Sequence, residues 1–255
     1  MRDLDTAVEA YRALGFQVGA RNRHPAVWGT QNHVVQLAGT YIELLALADV
    51  SGIVSHAPRH FSFGAFNHDF LARREGLSML VLEGRGAADA EEFRARGISP
   101  FDLFEFEREA RRPDGAPITL GFALAFAADP RAPDIGFFTS KHRHPEAFWN
   151  PEFQRHPNGA ARIAGVVMVA REPAQHRDFL LAFSGGRPTD NGGVLIKTER
   201  GDIEVMTPDA YERRFELRPP DASNGPRLAA VRYAGEKLAP GRKSALGAGL
   251  IFETG

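Results

Sequence analysis

Glu43 is the residue whose type and position point most directly to chemistry. It stands inside the apolar segment YIELL at residues 41–45, where the composition predicts a central β-strand. A carboxylate buried in such a strand without a partner is energetically costly, so it needs a structural or functional reason. On a sheet with one open face, Glu43 would point into a pocket and serve there as a base or a ligand. The segment IEV around Glu204 supports the same argument more weakly.

Two histidines close a predicted strand at a spacing that suits metal binding. His142 and His144 end the segment GFFTSKHRH, and a separation of two residues puts both imidazoles on one side of an extended chain. With carboxylates opposite, they would bind a first-row divalent metal. The alternative is that both are solvated loop residues beside Lys141 and Arg143.

A turn-rich loop, RNRHPAVWGTQN at residues 21–32, carries candidates for ligand contacts. Gly29 and Asn32 suit a tight loop at the mouth of a pocket, where His24 and Trp28 would cover a planar ligand. The alternative is that Trp28 packs on the edge of the sheet.

The composition excludes several classes of protein. The 255-residue chain has a net charge of −1, so no overall field attracts it to nucleic acid or to a membrane, and we expect a small-molecule ligand. It contains no cysteine, which excludes disulfides and thiolate metal sites. Serine-hydrolase, zinc-protease and nucleotide-binding motifs are absent from the sequence. The longest apolar run is too short for a bilayer and the N-terminal residues do not form a signal peptide, so a cytoplasmic protein is expected.

The predicted elements recur in one order, strand–helix–strand–strand–strand. The first round has a helix at 5–14 and strands at 16–20, 34–37 and 41–47. The second round has a strand at 77–82, a helix at 87–96 and strands at 101–111, 118–127 and 135–140. The third round has a strand at 163–170, a helix at 173–182 and strands near 194–197 and 203–206, and a shortened fourth round lies within 227–253. The segment PDAYERRFEL at 208–217 predicts a solvated surface helix. The first round lacks its first strand, and the resulting unpaired sheet edges favour a homo-oligomer such as a homodimer.

This repeat, the helix DLDTAVEAYRALGF and the strands TYIELLAL and GDIEVMTP resemble the vicinal oxygen chelate superfamily, and within it the glyoxalase-like domain family. The resemblance implies an α+β fold of repeated βαβββ modules that form cup-shaped mixed sheets. It places a glyoxalase-like domain of two modules at residues 1–160, and a further module with a shortened fourth one at 161–255. The superfamily includes isomerases, lyases, ring-cleaving dioxygenases, resistance proteins and metal-free binding proteins.

The resemblance also implies a site. Family members typically hold a divalent metal on the first and last strands of each module, and here Glu43 and Glu204 match the last-strand positions. With His142 and His144 as further ligands, the expected ion is Fe, Mn, Ni, Zn or Co. The first-strand positions depart from the pattern, because Met79 and Gly165 stand there and the module-one histidine would lie upstream of Met1. The segment WNPEFQRHPNGA resembles the family's linker between modules, so Trp149 and His156 are expected to contact substrate.

Two interpretations of the missing first strand remain open. In one, the start of the gene is misassigned and a strand carrying a histidine has been lost. In the other, the protein never had this strand and does not bind metal in the usual way.

The leading functional hypothesis is an enzyme that acts on a small oxygen-rich or carbonyl-containing molecule by metal-assisted proton transfer, with Glu43 as ligand or base. The alternative is a non-catalytic protein of the same fold that binds a small molecule and has lost its metal site. A mainly structural homo-oligomer is a third possibility.

Overall fold

The computed structural model describes residues 1–111, 116–189 and 193–255. The first part of the chain forms α1 (Leu4–Ala13), β1 (Asn22–Arg23), β2 (Thr30–Leu37), β3 (Thr40–Leu47), α2 (Phe63–Arg73), β4 (Met79–Glu83), α3 (Ala87–Ala95), β5 (Phe104–Arg111), β6 (Pro117–Ala127), β7 (Gly136–His142) and α4 (Pro145–Phe148). The second part forms β8 (Arg162–Val169), α5 (Arg177–Ser184), β9 (Arg187–Pro188), β10 (Val194–Thr198), β11 (Gly201–Met206), α6 (Pro208–Phe215), β12 (Arg227–Gly235), β13 (Gly241–Ala245) and β14 (Ala248–Thr254).

The strands form three sheets. Their orders are β1-β2-β3, β4-β7-β6-β5 and β13-β14-β12-β8-β11-β10-β9. The first strand of a module runs parallel to its last strand, as in the pairs β4 with β7 and β8 with β11, and consecutive strands pair antiparallel. This mixed α+β architecture confirms the predicted fold class.

The helices α1, α3 and α5 fill the space between the two smaller sheets and the seven-stranded sheet. In α1, Asp3 caps the first turn by accepting a hydrogen bond from the Thr6 amide, a contact worth about 1 kcal/mol. The buried face of α1 packs on β2 and β3 on one side and on β12 and β14 on the other. The buried faces of α3 and α5 join the outer face of β6 and β7 to β8 and β11. The opposite face of the two smaller sheets is therefore free to form a cup.

Some local elements differ from those that the sequence predicts. Residues 16–20 are not a strand, since Gly15 at φ +80° turns the chain and only Gly19 bonds to the sheet, at the Val34 carbonyl. The helix α2 was not predicted, because Gly64 and Asn67 lower its helix propensity. The helix α6 is not solvated throughout: Tyr211 and Phe215 are buried against the seven-stranded sheet.

Among the described residues, no helix is both long enough and apolar enough to cross a membrane.

Candidate functional site

The alternation of side chains along β3 places Glu43 in the cup. Ile42 and Leu44 point towards α1, whereas Tyr41, Glu43 and Leu45 point to the opposite face. The facing wall is a cluster of apolar, mostly aromatic side chains from β4 to β7 and α2. The Glu43 side chain keeps 25% of its surface accessible. An acidic group therefore opens into a cup whose facing wall is mostly apolar.

Two neighbours hold the Glu43 carboxylate from one side. The side-chain amide of Asn32 on β2 donates a hydrogen bond to Oε1, and Nε2 of His24 lies 3.1 Å from the same oxygen. Nδ1 of His24 lies in turn 2.8 Å from Oγ1 of Thr30. Both contacts that the described residues make go to Oε1, so they orient the carboxylate and leave Oε2 available to a molecule in the cup.

The surroundings keep Glu43 ionised. Burial acts to raise the pKa of Glu43, but the hydrogen bonds from His24 and Asn32 and the positive charge of Arg108 outweigh it and hold the pKa below its usual value. At neutral pH the cup therefore presents a carboxylate anion.

His142, at the end of β7, is the second polar group of the cup. Burial lowers the pKa of His142 to about 4, so the imidazole is neutral at neutral pH. Its ring lies almost parallel to that of Trp149, with 6.2 Å between the ring centres, and 6.2 Å from the ring of Tyr41. Within the described part of the chain, the buried Nδ1 atom has no hydrogen-bond partner. A buried polar atom without a partner is costly, so this nitrogen is a candidate contact for a ligand.

A cavity of about 460 Å³ connects these groups. At its cup end it is lined by Tyr41, Glu43, His142 and Trp149. It continues between β3 and β4 into the layer of helices, where apolar residues such as Leu77, Val166 and Val231 line it together with polar ones such as Asn67, Arg200 and Asp202. Its volume is suitable for a small organic molecule.

Residues 1–182 match the family model described as glyoxalase-like domain. The chain belongs to the glyoxalase-like domain family. No curated protein matches its sequence.

One of two similar solved structures supports the fold of this glyoxalase-like protein. A hypothetical protein from Staphylococcus aureus superposes with a TM-score of 0.70 at 11% identity, over 96% of this chain and 92% of that one. A xylose isomerase-like TIM barrel/4-hydroxyphenylpyruvate dioxygenase fusion protein gives a TM-score of 0.44 at 11% identity, over 92% of this chain and 35% of that one. The first likeness shows a shared fold, and the second is too low to do so.

The side chains predicted to bind a metal in this glyoxalase-like domain are not brought together. Glu43 and His142 line one cavity, but His144 is exposed and lies 3.7 Å from Glu146. Glu204 accepts a hydrogen bond from Arg214 and also faces Arg232 in the seven-stranded sheet. No group of three or more acidic or histidine side chains with metal-binding geometry occurs in residues 1–111, 116–189 and 193–255. These donors do not fit a divalent metal.

The residues at the first-strand positions, Met79 and Gly165, do not supply a suitable metal ligand either. Met79 presents a thioether to the cup, which is a poor ligand for the expected ions. Gly165 supplies no side chain, and a Cβ atom there would lie 2.7 Å from the backbone oxygen of Asp202.

Of the predicted ligand-contacting residues, Trp149 and His24 lie at the cup, and Asn32 acts by holding Glu43. Trp28 is buried, stacks on Phe63 at 4.3 Å and does not line the cavity. His156 accepts a hydrogen bond from the Gln17 amide at Nδ1, and its Nε2 lies 2.7 Å from the Gln36 carbonyl oxygen. Both ring nitrogens of His156 are thus used to join the linker to the segment after α1 and to β2.

Two residues at the site, Arg108 and Tyr41, were not predicted from the sequence. Arg108 follows Phe104 and Phe106 on the inward face of β5, between exposed acidic residues. A single cation in the apolar half of the alternating segment FEFERE was the signal for a polar site on that face. Tyr41 belongs to the apolar run around Glu43, and its ring lines the cup.

Proposed function

We propose that the cup binds a small, neutral, planar molecule that carries hydroxyl or carbonyl oxygens, with Glu43 as the acceptor of a hydrogen bond from the ligand. The observation that carries this proposal is the ionised carboxylate of Glu43, oriented through Oε1 and open to a mostly apolar cavity. A charge-assisted hydrogen bond favours a hydroxyl donor, and like charge disfavours an anion.

The walls determine the shape of the ligand. The ring centres of Tyr41 and Trp149 each lie 6.2 Å from that of His142 and 6.0 Å from each other, and flat aromatic faces select a flat molecule. The neutral His142 supplies a second polar contact, at Nδ1, for another oxygen of the same ligand. Two oxygens on one small planar molecule would form hydrogen bonds with both Glu43 and His142.

Calorimetry with catechol, benzoate and toluene tests this binding function. We expect catechol to bind the wild-type protein more tightly than toluene, and benzoate to bind most weakly. Glu43→Gln should weaken catechol binding by about 10–100-fold, because it removes a hydrogen bond to a charged group. Glu204→Gln is the matched control, since this strand carboxylate lies outside the cavity. Equal catechol affinities of wild type and Glu43→Gln, or no binding of catechol by the wild type, would contradict the proposal.

A second function, proton transfer without a metal, is favoured by the chain of contacts from Thr30 through His24 to Glu43. The carboxylate would take a proton from the carbon next to a carbonyl, leaving an enolate, and return it to that same carbon. His24 would keep the carboxylate oriented during both steps. No metal participates, because the donor set does not fit one.

Deuterium exchange separates the two functions. Hydroxyacetone is incubated with the protein in D₂O, and the loss of its carbon-bound protons is followed by NMR. Exchange that disappears in Glu43→Gln and persists in Glu204→Gln supports proton transfer. Exchange at the uncatalysed rate with wild type leaves binding as the function.

A further inference from the structure

Three arginine side chains converge on one carboxylate, that of Asp134 in the loop between β6 and β7. Nη2 of Arg73 donates a hydrogen bond of 2.8 Å to Oδ1 of Asp134. Nη2 of Arg74 and Nη2 of Arg227 each lie 3.1 Å from Oδ2. We call these four residues the arginine cluster. Because an arginine side chain is always charged, the cluster has an excess of two positive charges.

A contact between distant segments of the chain brings the three arginines together. Arg73 and Arg74 stand at the carboxyl end of α2. The segment after α2 forms an isolated β-bridge between Leu77 and Leu228, and Arg227 directly precedes Leu228 at the start of β12. The end of α2 therefore lies beside β12, and the backbone holds the cluster in place.

The cluster is partly shielded from water. The side chain of Arg227 is 9% exposed, and the guanidinium of Arg74 lies over the ring of Phe70, 4.7 Å from its centre. The side chain of Arg73 is 55% exposed. The cluster is therefore open to a small ion on the side of Arg73, while the interior positions of Arg74 and Arg227 weaken the screening of charge by solvent.

The donors of the cluster exceed its acceptors. Within the described residues, the buried Nη2 atom of Arg74 has no hydrogen-bond partner, although it lies close to Asp134. Burial and the like charge of Arg74 lower the pKa of Arg227. A buried donor without an acceptor and a repulsion between neighbouring cations are both costly. A further anion would relieve both costs.

A second carboxylate, that of Asp221, also acts on Arg227 but does not remove this excess. Asp221 is exposed, and its side chain accepts a hydrogen bond of 2.8 Å from the amide of Ser223. It also interacts with the charge of Arg171. Because Asp221 is shared with a further arginine, the region as a whole stays positive.

We propose that the arginine cluster binds a phosphate group, either as inorganic phosphate or as a small phosphate monoester. At about pH 8 such a group carries nearly two negative charges, which match the excess of the cluster. Guanidinium groups present paired N–H donors that fit phosphate oxygens. Arg74 donates to one oxygen through Nη2, and the exposed Arg73 donates to another. The inference does not rest on the proposed function, since no residue of the cluster lines the cavity that holds Glu43.

Calorimetry with inorganic phosphate, at about pH 8 and low ionic strength, tests the site. Arg74→Gln should weaken phosphate binding by about 10–100-fold, because it removes a charged donor. Arg96→Gln is the matched control: Arg96 likewise stands at the carboxyl end of a helix, α3, and pairs with the carboxylate of Glu92, outside the cluster. Its phosphate affinity should equal that of the wild type. No binding by the wild type at millimolar phosphate, or equal affinities of wild type and Arg74→Gln, would overturn the proposal.

Asp134→Asn separates a phosphate site from a purely structural network of ion pairs. Removing the carboxylate that competes for the arginines should strengthen phosphate binding by at least about tenfold. Unchanged or weaker binding in Asp134→Asn would count against the site. Thermal unfolding checks that each variant folds, and phosphate should raise Tm of the wild type and of Arg96→Gln more than that of Arg74→Gln.

Glycerol 3-phosphate distinguishes the two sources of the phosphate group. Tighter binding than that of inorganic phosphate supports a site for a phosphate ester, and weaker binding supports a site for the free ion. In Glu43→Gln the phosphate affinity should equal that of the wild type, because the cup is not involved. Phosphate binding that is lost in Glu43→Gln but kept in Arg74→Gln would place the anion in the cup and refute the proposal.

Discussion

The imidazole of His24 orients the carboxylate of Glu43, with 3.1 Å between Nε2 and Oε1. His24 comes from the loop before β2 and Glu43 from β3, so the contact joins two separate segments of the first module. Thr30 fixes the other ring nitrogen of His24. This arrangement gives Glu43 both its direction and its low pKa, and each property can be measured.

Replacing His24 by phenylalanine should raise the pKa of Glu43. Phenylalanine keeps a ring against Trp28 and Phe63 but removes the hydrogen bond to Oε1, so burial then has the larger effect. The measurement is a titration of the Glu43 side-chain carbon by NMR. His144→Phe, at an exposed position, is the control. An unchanged pKa in His24→Phe would show that His24 does not determine the ionisation of Glu43.

The ionised Glu43 should make folding stability depend on pH in acid. Its folded pKa lies below its unfolded value, so its contribution is fully present above about pH 4.3 and is lost as the pH falls through the folded pKa. Glu43→Gln lacks this titration. The difference in the free energy of unfolding between wild type and Glu43→Gln, measured with urea, should therefore shrink on acidification. A difference that stays constant from pH 7 to the acid transition would contradict this assignment.

His142 should also make the free energy of unfolding depend on pH, in a range above that of Glu43. Its folded pKa of about 4 lies below the value of 6.5 for an unperturbed histidine, so between these values the unfolded chain binds a proton that the folded one does not. The wild type should lose on the order of 2 kcal/mol as the pH falls from 6.5 to 4. His142→Phe should show a flatter profile over this range, and His144→Phe the wild-type one. Parallel profiles for wild type and His142→Phe would mean that burial does not suppress its protonation.

Glu43 and Glu204 show how far a sequence pattern can predict a site. Both carboxylates interrupt an apolar strand and are partly buried, so each needs an explanation, as the pattern indicates. The explanations differ, because Glu204 is covered by Arg214 from α6, while Glu43 opens into the cup. Which side chain covers a strand depends on tertiary packing, and that cannot be obtained from the strand's own sequence.

The same dependence on tertiary packing applies to the predictions for Trp28 and His156. The order of modules and the helix α1 were predictable, since they follow from local periodicity. Trp28 was predicted to meet ligand, but α2 covers it with Phe63, and this helix has a weak local signal. His156 was predicted from its neighbours in the linker, whereas its partners Gln17 and Gln36 lie far away along the chain.

Because the chain contains two tryptophans, fluorescence can report where a ligand binds. Trp149 lines the cavity, whereas Trp28 is packed behind His24. In Trp28→Phe, catechol should change the emission of the remaining Trp149, with a midpoint that agrees with calorimetry. In Trp149→Phe, the remaining Trp28 is shielded by Phe63 and Phe104, so its emission should change little. Both substitutions keep an aromatic ring and thus limit the loss of packing. A response carried by Trp28 would place the ligand at the loop before β2 and not at the cup end that Glu43 and His142 share.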